Sequence, residues 1–170
     1  AEAAEVQEVH PLMMAALVPS EFFWIVLVKF AVAVTCGGII GLERQLRGKS
    51  AGIRICMVLV LTTTFIASLG SELTAETGDP SRVLAAIVTG VGFLGGGVIF
   101  AQGTRVQGMT TATLIWALAG IGTAIGLGYG HAALVMTLLV MVVLKTVDWA
   151  ESRFPRLKRE INIPSTDAED

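Results

Sequence analysis

The sequence predicts an all-α membrane protein. The expected fold is a polytopic bundle of about five transmembrane helices, with the N-terminus outside and the C-terminus inside. Composition is the first observation behind this. The 170 residues are 54% hydrophobic and 15% charged, with a mean hydropathy of +0.73. A water-soluble domain has too little polar side chain to cover that much apolar surface. The second observation is five apolar segments, each near the roughly 20 residues needed to cross a hydrocarbon core of about 30 Å. The third is the placement of charge between them, which alternates loop by loop.

The expected spans are 22–41, 53–70, 83–101, 112–128 and 132–147. Together they form a transmembrane domain over 21–149, between an external arm (1–20) and a cytoplasmic tail (150–170). The arm is acidic and begins without Met. It lacks the basic start of a secretory signal, so it carries no weight in the fold. Span one opens at "SEFF" and holds Trp24 near an interface, where an indole ring is at home. Lys29 is the one charge well inside a span. It is expected either to snorkel outward or to pair with Asp79 or Glu72. The loop after span one carries Arg44, Arg47, Lys49 and Arg54. The next loop holds Glu72, Glu76 and Asp79 against Arg82. In "GDPSR", Asp79 can cap span three, with Pro80 at its first helical position. Arg105 follows span three. The loop before span five has no Lys or Arg, and span five ends at Lys145 and Trp149. The tail carries Arg153, Arg156, Lys158 and Arg159. Positively charged loops stay in the cytoplasm, so every loop agrees on the same orientation.

Nineteen glycines sit mostly inside spans, where they let helix backbones approach closely. Three pairs have the four-residue spacing of a packing face: Gly37 with Gly41, Gly92 with Gly96, and Gly122 with Gly126. Two nucleotide-like motifs fail. "GVGFLG" (90–95) lies within a span, with no preceding strand and no acid at the required distance. Gly48-Lys49-Ser50 resembles the end of a phosphate loop, but the first glycine of that loop is replaced by Glu43, whose carboxylate would repel phosphate. No nucleotide, nucleic-acid partner or cofactor is expected.

Chemistry-bearing residues are few. Cys36 and Cys56 lie in apolar runs and are expected to be buried small residues. His10 and His131 have no acid or thiol partner nearby. No Ser/His/Asp, Cys/His or metal cluster is visible, so the chain is not expected to be an enzyme. Glu43 stands among four cations at the end of span one. It is expected either to brace the loop by pairing with Arg44, Arg47 or Arg54, or to receive a cation or proton at the mouth of a polar path. Hydroxyls cluster at Thr62, Thr63, Thr64 and Ser68, and again at Thr110, Thr111 and Thr113. Back-bonding to the helix is the plain expectation, and a polar line through the bundle is the alternative.

Three motifs in order, "GLERQLRGKSAGIR", "DPSRVLAAIVTGVGFLGGGVIF" and "VQGMTTATLIWALAGIG", resemble the MgtC/SapB family of bacterial inner-membrane proteins. The resemblance runs from about residue 29 to 130. It implies a domain of about five spans and a link to growth at low magnesium and, in pathogens, to survival in macrophages. Two roles are implied: a magnesium transporter, or a regulator of other membrane proteins such as the F-type ATP synthase and magnesium pumps. Magnesium would enter as a transported or sensed ion. The matching residues are Glu43, Arg44, Gln45, Gly52 and Arg54, then Asp79, Arg82, Gly90, Gly92, Phe93, Leu94 and Gly95, and then Gly108, Thr110, Thr111, Ala112 and Trp116. On the transport reading, Glu43, Arg44, Arg54, Asp79, Arg82, Thr110 and Thr111 would line or gate the path. Two departures stand out. Cys56 occupies a position where the family usually carries His or Asn, and the ACT-like domain that many members append is expected to be absent. Besides the lipid bilayer, the expected partners are a second copy of the chain, with a dimer the default, and another membrane protein.

Overall fold

The computed structural model describes residues 20–74, 79, 81–102 and 105–153. The expectations for His10, Glu76, Pro80, most of the N-terminal arm and the tail beyond 153 fall outside these residues. Within them the chain is helical, apart from short turns and one small hairpin. Its elements are α1 (Ser20–Leu46), α2 (Ile53–Leu73), α3 (Ser81–Gly97), β1 (Phe100–Gln102), β2 (Arg105–Gln107), α4 (Met109–Gly126) and α5 (Gly130–Arg153). Four helices, α1, α2, α4 and α5, are long and apolar enough to cross a membrane, and α3 is a shorter apolar helix.

Three elements depart from the expected spans. One is α5, expected to end at 147, which continues to Arg153. At 27 residues, α1 is about 40 Å long and continues to Leu46, so Glu43 and Arg44 ride on the helix and not in a loop. It stops where Gly48 adopts a left-handed φ of 64°. There the Gly48 and Lys49 amides turn back to the carbonyls of Gln45 and Arg44, as in a glycine-terminated helix end. In contrast, α3 stops early, at Gly97. Its last amide bonds reach back only three residues, from Val98 to Gly95 and from Ile99 to Gly96. Three successive glycines there favour unwinding. The residues expected to finish span three instead enter the antiparallel hairpin, pairing Phe100 with Gln107 and Ala101 with Val106.

Helix α4 is the hub. It touches α1, α2, α3 and α5, and half of its apolar window is buried against them. One face sends Leu114, Leu118, Ile121 and Ile125 into a core shared with Ala33, Cys36 and Ile40 of α1, Cys56 and Val60 of α2, and Ala133 of α5. The opposite face sets Ile115 and Ala119 against Ile87 and Val91 of α3, with Ala67 of α2. Both cysteines are buried and free.

The three glycine pairs behave differently. A Cβ on Gly37 would stand 2.8 Å from the Cys56 carbonyl oxygen, and one on Gly41 would stand 2.6 Å from the Ile53 Cα, so this pair seats α2 on α1. A Cβ on Gly122 would meet the Val60 carbonyl oxygen at 2.5 Å, and one on Gly126 the Thr64 carbonyl oxygen at 2.6 Å. That second pair brings α4 onto α2 closely enough for Thr64 to donate to the Gly122 carbonyl (3.0 Å) and Ser68 to the Gly126 carbonyl (3.1 Å). A Cβ on Gly92 or Gly96 would meet nothing within 4 Å among the described residues. Their face of α3 is open.

This contrast predicts the stability of three variants. Gly41→Leu and Gly122→Leu should each cost at least about 3 kcal/mol, because the added atoms meet backbone that cannot step aside. Gly92→Leu should leave the unfolding midpoint in detergent within a degree or two. Thermal unfolding followed by size-exclusion chromatography measures all three. Equal losses would mean that the third pair is also packed within the chain.

Candidate functional site

The polar side chains gather at the two ends of the α1–α4 contact. At one end, Arg44 is buried and donates from Nη2 to Thr111 Oγ1 (2.8 Å). The Ser50 hydroxyl lies 3.3 Å from the same Thr111 oxygen. Thr111 is held there because α4 starts immediately after Gly108. That glycine has a φ of 89°, and a Cβ on it would run into the Val98 backbone, so no other residue fits between the hairpin and the helix. Gln45, one residue past Arg44, accepts the Ile53 amide at 3.2 Å. It caps α2, whose N-cap residue Gly52 has no side chain for the task.

Glu43 is 8% exposed. Its carboxylate forms an ion pair with Arg47, one turn on, and Arg47 also reaches Asp148 of α5 at 2.6 Å. The pairing to Arg47 is one of charge without hydrogen-bond alignment, since neither Glu43 oxygen has a hydrogen-bond partner, and Arg44 Nε is likewise unpartnered. Two carboxylates and two guanidinium groups therefore share one end of the bundle, joining α1 to α4 and to α5. A buried charge that loses its counter-charge is costly, so Glu43, Arg47 and Asp148 are interdependent.

The other expected site residues are placed elsewhere. Arg54 is exposed at the start of α2, and Thr110 is exposed beside Thr111. Asp79 and Arg82 stand past the far end of α2, a full helix length from Glu43. Asp79 Oδ1 accepts the Ser81 hydroxyl and the Ser81 amide (3.0 Å). Those two bonds, the hydroxyl first, hold its carboxyl below the usual range. The support it gives the start of α3 is therefore complete above the ordinary carboxylate pKa of about 4 and fades as pH falls through the lowered value. Lys29 pairs with neither Asp79 nor Glu72. It donates to the Gly126 carbonyl at 2.8 Å, at the C-terminal end of α4, where a cation is favoured. Several hydroxyls in the spans are engaged with carbonyls: Thr63 with Leu59 and Val60, Thr64 with Gly122, and Thr137 with Ala133.

Sequence reasoning missed Asp148, Ser50 and the Lys29 anchor, and it left Arg47 as one of three candidate partners for Glu43. Asp148 is distant in the chain from Arg47, and only the packing of α5 on α1 brings them together. The signal within reach was Asp148 itself, the first acid in the long apolar run of α5. Among the described residues, no group of three or more His, Cys, Asp or Glu side chains could hold a metal ion.

The comparisons with known proteins cover this same region. A model of the MgtC family matches residues 30–153. An uncharacterised protein of Haemophilus influenzae is 34% identical over 158 residues, which is 85% of this chain and 66% of that one. Protein MgtC of Brucella abortus is 41% identical over 114 residues, 66% of this chain and 47% of its own. Protein MgtC of Salmonella typhimurium is 42% identical over 109 residues, 64% of this chain and 46% of its own. The chain thus spans about half the length of the relatives named MgtC. No solved structure matches it. With apolar helices of membrane-spanning length and the family model matched across α1 to α5, the chain is a multi-pass membrane protein belonging to the MgtC family.

Proposed function

We propose that this chain resides in the bacterial inner membrane and serves magnesium and divalent-cation homeostasis as a regulator, docking another membrane protein on the open face of α3. One observation carries this reading: of three glycine pairs with the same spacing, only Gly92 and Gly96 lack a partner among the described residues. A helix face without side chains is suited to close approach by another helix, and in lipid such approach is a main source of association. Phe93, 83% exposed, flanks the pair. Trp116, more than half exposed, borders an adjacent groove of about 130 Å³ between α3 and α4. A large aromatic beside a small-residue face is the composition of a binding hot spot. The link to magnesium rests on the MgtC/SapB resemblance.

A transport reading is favoured by Glu43. A buried carboxylate without hydrogen bonds, close to the end of a membrane helix, is a place to receive a proton or a cation. On that reading Glu43, Arg44 and Thr111 form one mouth, with Asp79 and Arg82 at the other. Thr63, Thr64, Ser68 and Thr137 between them are bonded to carbonyls, which supports docking over conduction.

Three measurements separate these readings. Cross-linking and pull-down from native membranes should recover a defined membrane-protein partner, and Gly92→Leu should lower its recovery at least about tenfold while the protein stays folded. Recovery of other copies of the chain alone would assign the face to self-association. Liposomes holding the purified protein should show no magnesium or proton flux above empty ones. Flux that Glu43→Gln abolishes would overturn the regulator in favour of the transporter. An orientation with the Lys49 end in the cytoplasm predicts that Lys49→Cys reacts with an impermeant maleimide only after the membrane is opened, whereas Tyr129→Cys reacts in intact cells. The reverse pattern would invert the bundle.

A further inference from the structure

Lys29 sits in a place that its cap on α4 does not explain. Capping Gly126 uses one of the three donors of its ammonium group, and among the described residues no acid lies within ion-pair distance. Grooves open on both sides of it. One, of about 330 Å³, runs between α1 and α2, and the other, of about 420 Å³, faces the α4–α5 turn and is otherwise lined by apolar residues and glycines. Both fall in the size range of small-molecule sites.

The α1–α2 groove is graded along its length. Its deepest part is made by Phe30 and Phe65, whose rings stand 6.4 Å apart. Lys29 and Ser68 come next, both bonded to the Gly126 carbonyl. Leu69 follows. Glu72, exposed and one helical turn beyond Ser68, forms the rim at the end of α2, about 6 Å farther along the axis. From the hydrocarbon side outward, the charged groups come in the order cationic then anionic, with Phe30 and Phe65 inward of them and Ile25, Val26 and Leu69 lining the groove beside Glu72. Lys29 lies level with the C-terminus of α4, with the apolar first turns of α1 continuing beyond it.

We propose that this groove binds an amino-phospholipid, phosphatidylethanolamine, with the phosphate on Lys29 and the primary ammonium on Glu72. The order of charges matches the molecule. Acyl chains lie against Phe30 and Phe65, the phosphate sits at the depth of Lys29, and the ethanolamine arm carries its ammonium outward to Glu72. An anionic glycerol headgroup would satisfy Lys29 but offer Glu72 only neutral hydroxyls in place of an ammonium. A choline headgroup would bring a charge without N–H donors for Glu72.

Native mass spectrometry of the purified full chain, titrated with phosphatidylethanolamine, phosphatidylglycerol and phosphatidylcholine, tests this. Phosphatidylethanolamine should bind about tenfold more tightly than the other two, the scale of one charge-assisted hydrogen bond. Glu72→Gln should bring that preference to within twofold, whereas Lys29→Gln, at the residue facing the phosphate common to all three lipids, should weaken binding of all of them. Because Lys29→Gln also removes a cap from α4, Glu72→Gln and the groove-filling Leu69→Trp carry the test if it fails to fold. Leu69→Trp should reduce binding of all three lipids with both charges intact. Equal binding of ethanolamine and choline lipids, or a preference untouched by Glu72→Gln, would overturn the proposal. So would tighter binding of phosphatidylglycerol, which would make Lys29 a plain anion site. Competition by water-soluble phosphoethanolamine at the same concentration would show that the site takes a soluble phosphoamine and not a lipid.

Discussion

In a bilayer, two helices gain little from leaving lipid for each other, because the acyl chains are as apolar as their side chains. Contact between α2 and α4 therefore rests on how closely their backbones approach, and Gly122 and Gly126 set that distance. At this separation the Thr64 and Ser68 hydroxyls reach carbonyls on the neighbouring helix. Interhelical bonds of this kind are worth about 0.6 kcal/mol each on average, so they add direction more than strength. Helices α3 and α5 pack on α4, while α1 packs chiefly on α2 through Gly37 and Gly41 and shares the α4 core through Ala33, Cys36 and Ile40.

The register of α1 against this hub is fixed at two points. Lys29 holds the C-terminal carbonyl of α4 and Arg44 holds a hydroxyl in its first turn. The two residues are about 22 Å apart along α1, comparable with the apolar length of α4. Sliding α1 by one turn would break both and leave two cations facing apolar side chains, a penalty far above the loss of a few van der Waals contacts. The Arg47 bridge to Asp148 then ties α5 to the same end. That matters because little of α5 is buried.

Much of this is legible in the sequence, for identifiable reasons. Long apolar runs fix where a chain must be helical in lipid, since every backbone group needs an internal partner. That constraint makes α1, α2, α4 and α5 plain. Hydropathy misplaces the end of span three because it sees Val98, Ile99 and Phe100 as continuing the run, while the three glycines before them release the backbone into the hairpin. The glycine pairs show another limit. Spacing reveals that a helix has a small-residue face but not what stands opposite it, so the pairs at 37/41, 92/96 and 122/126 look alike although only two are filled. The charged residues divide in the same way. Glu43 and Arg47 are one turn apart and can be anticipated, whereas Asp148 and the Gly126 carbonyl are brought in by tertiary packing alone.

The open face on α3 is consistent with how that helix is held. It rests on α4 through Ile87, Val91 and Gly95, with Gly70 of α2 accommodating Val83. At 17 residues it is about 25 Å long, shorter than the hydrocarbon core, and it is followed by a hairpin that must stop where Gly108 starts α4. Lengthening α3 to span fully would consume that hairpin and displace Thr111 from Arg44. The short helix and the buried arginine cluster are thus two consequences of one turn at Gly108.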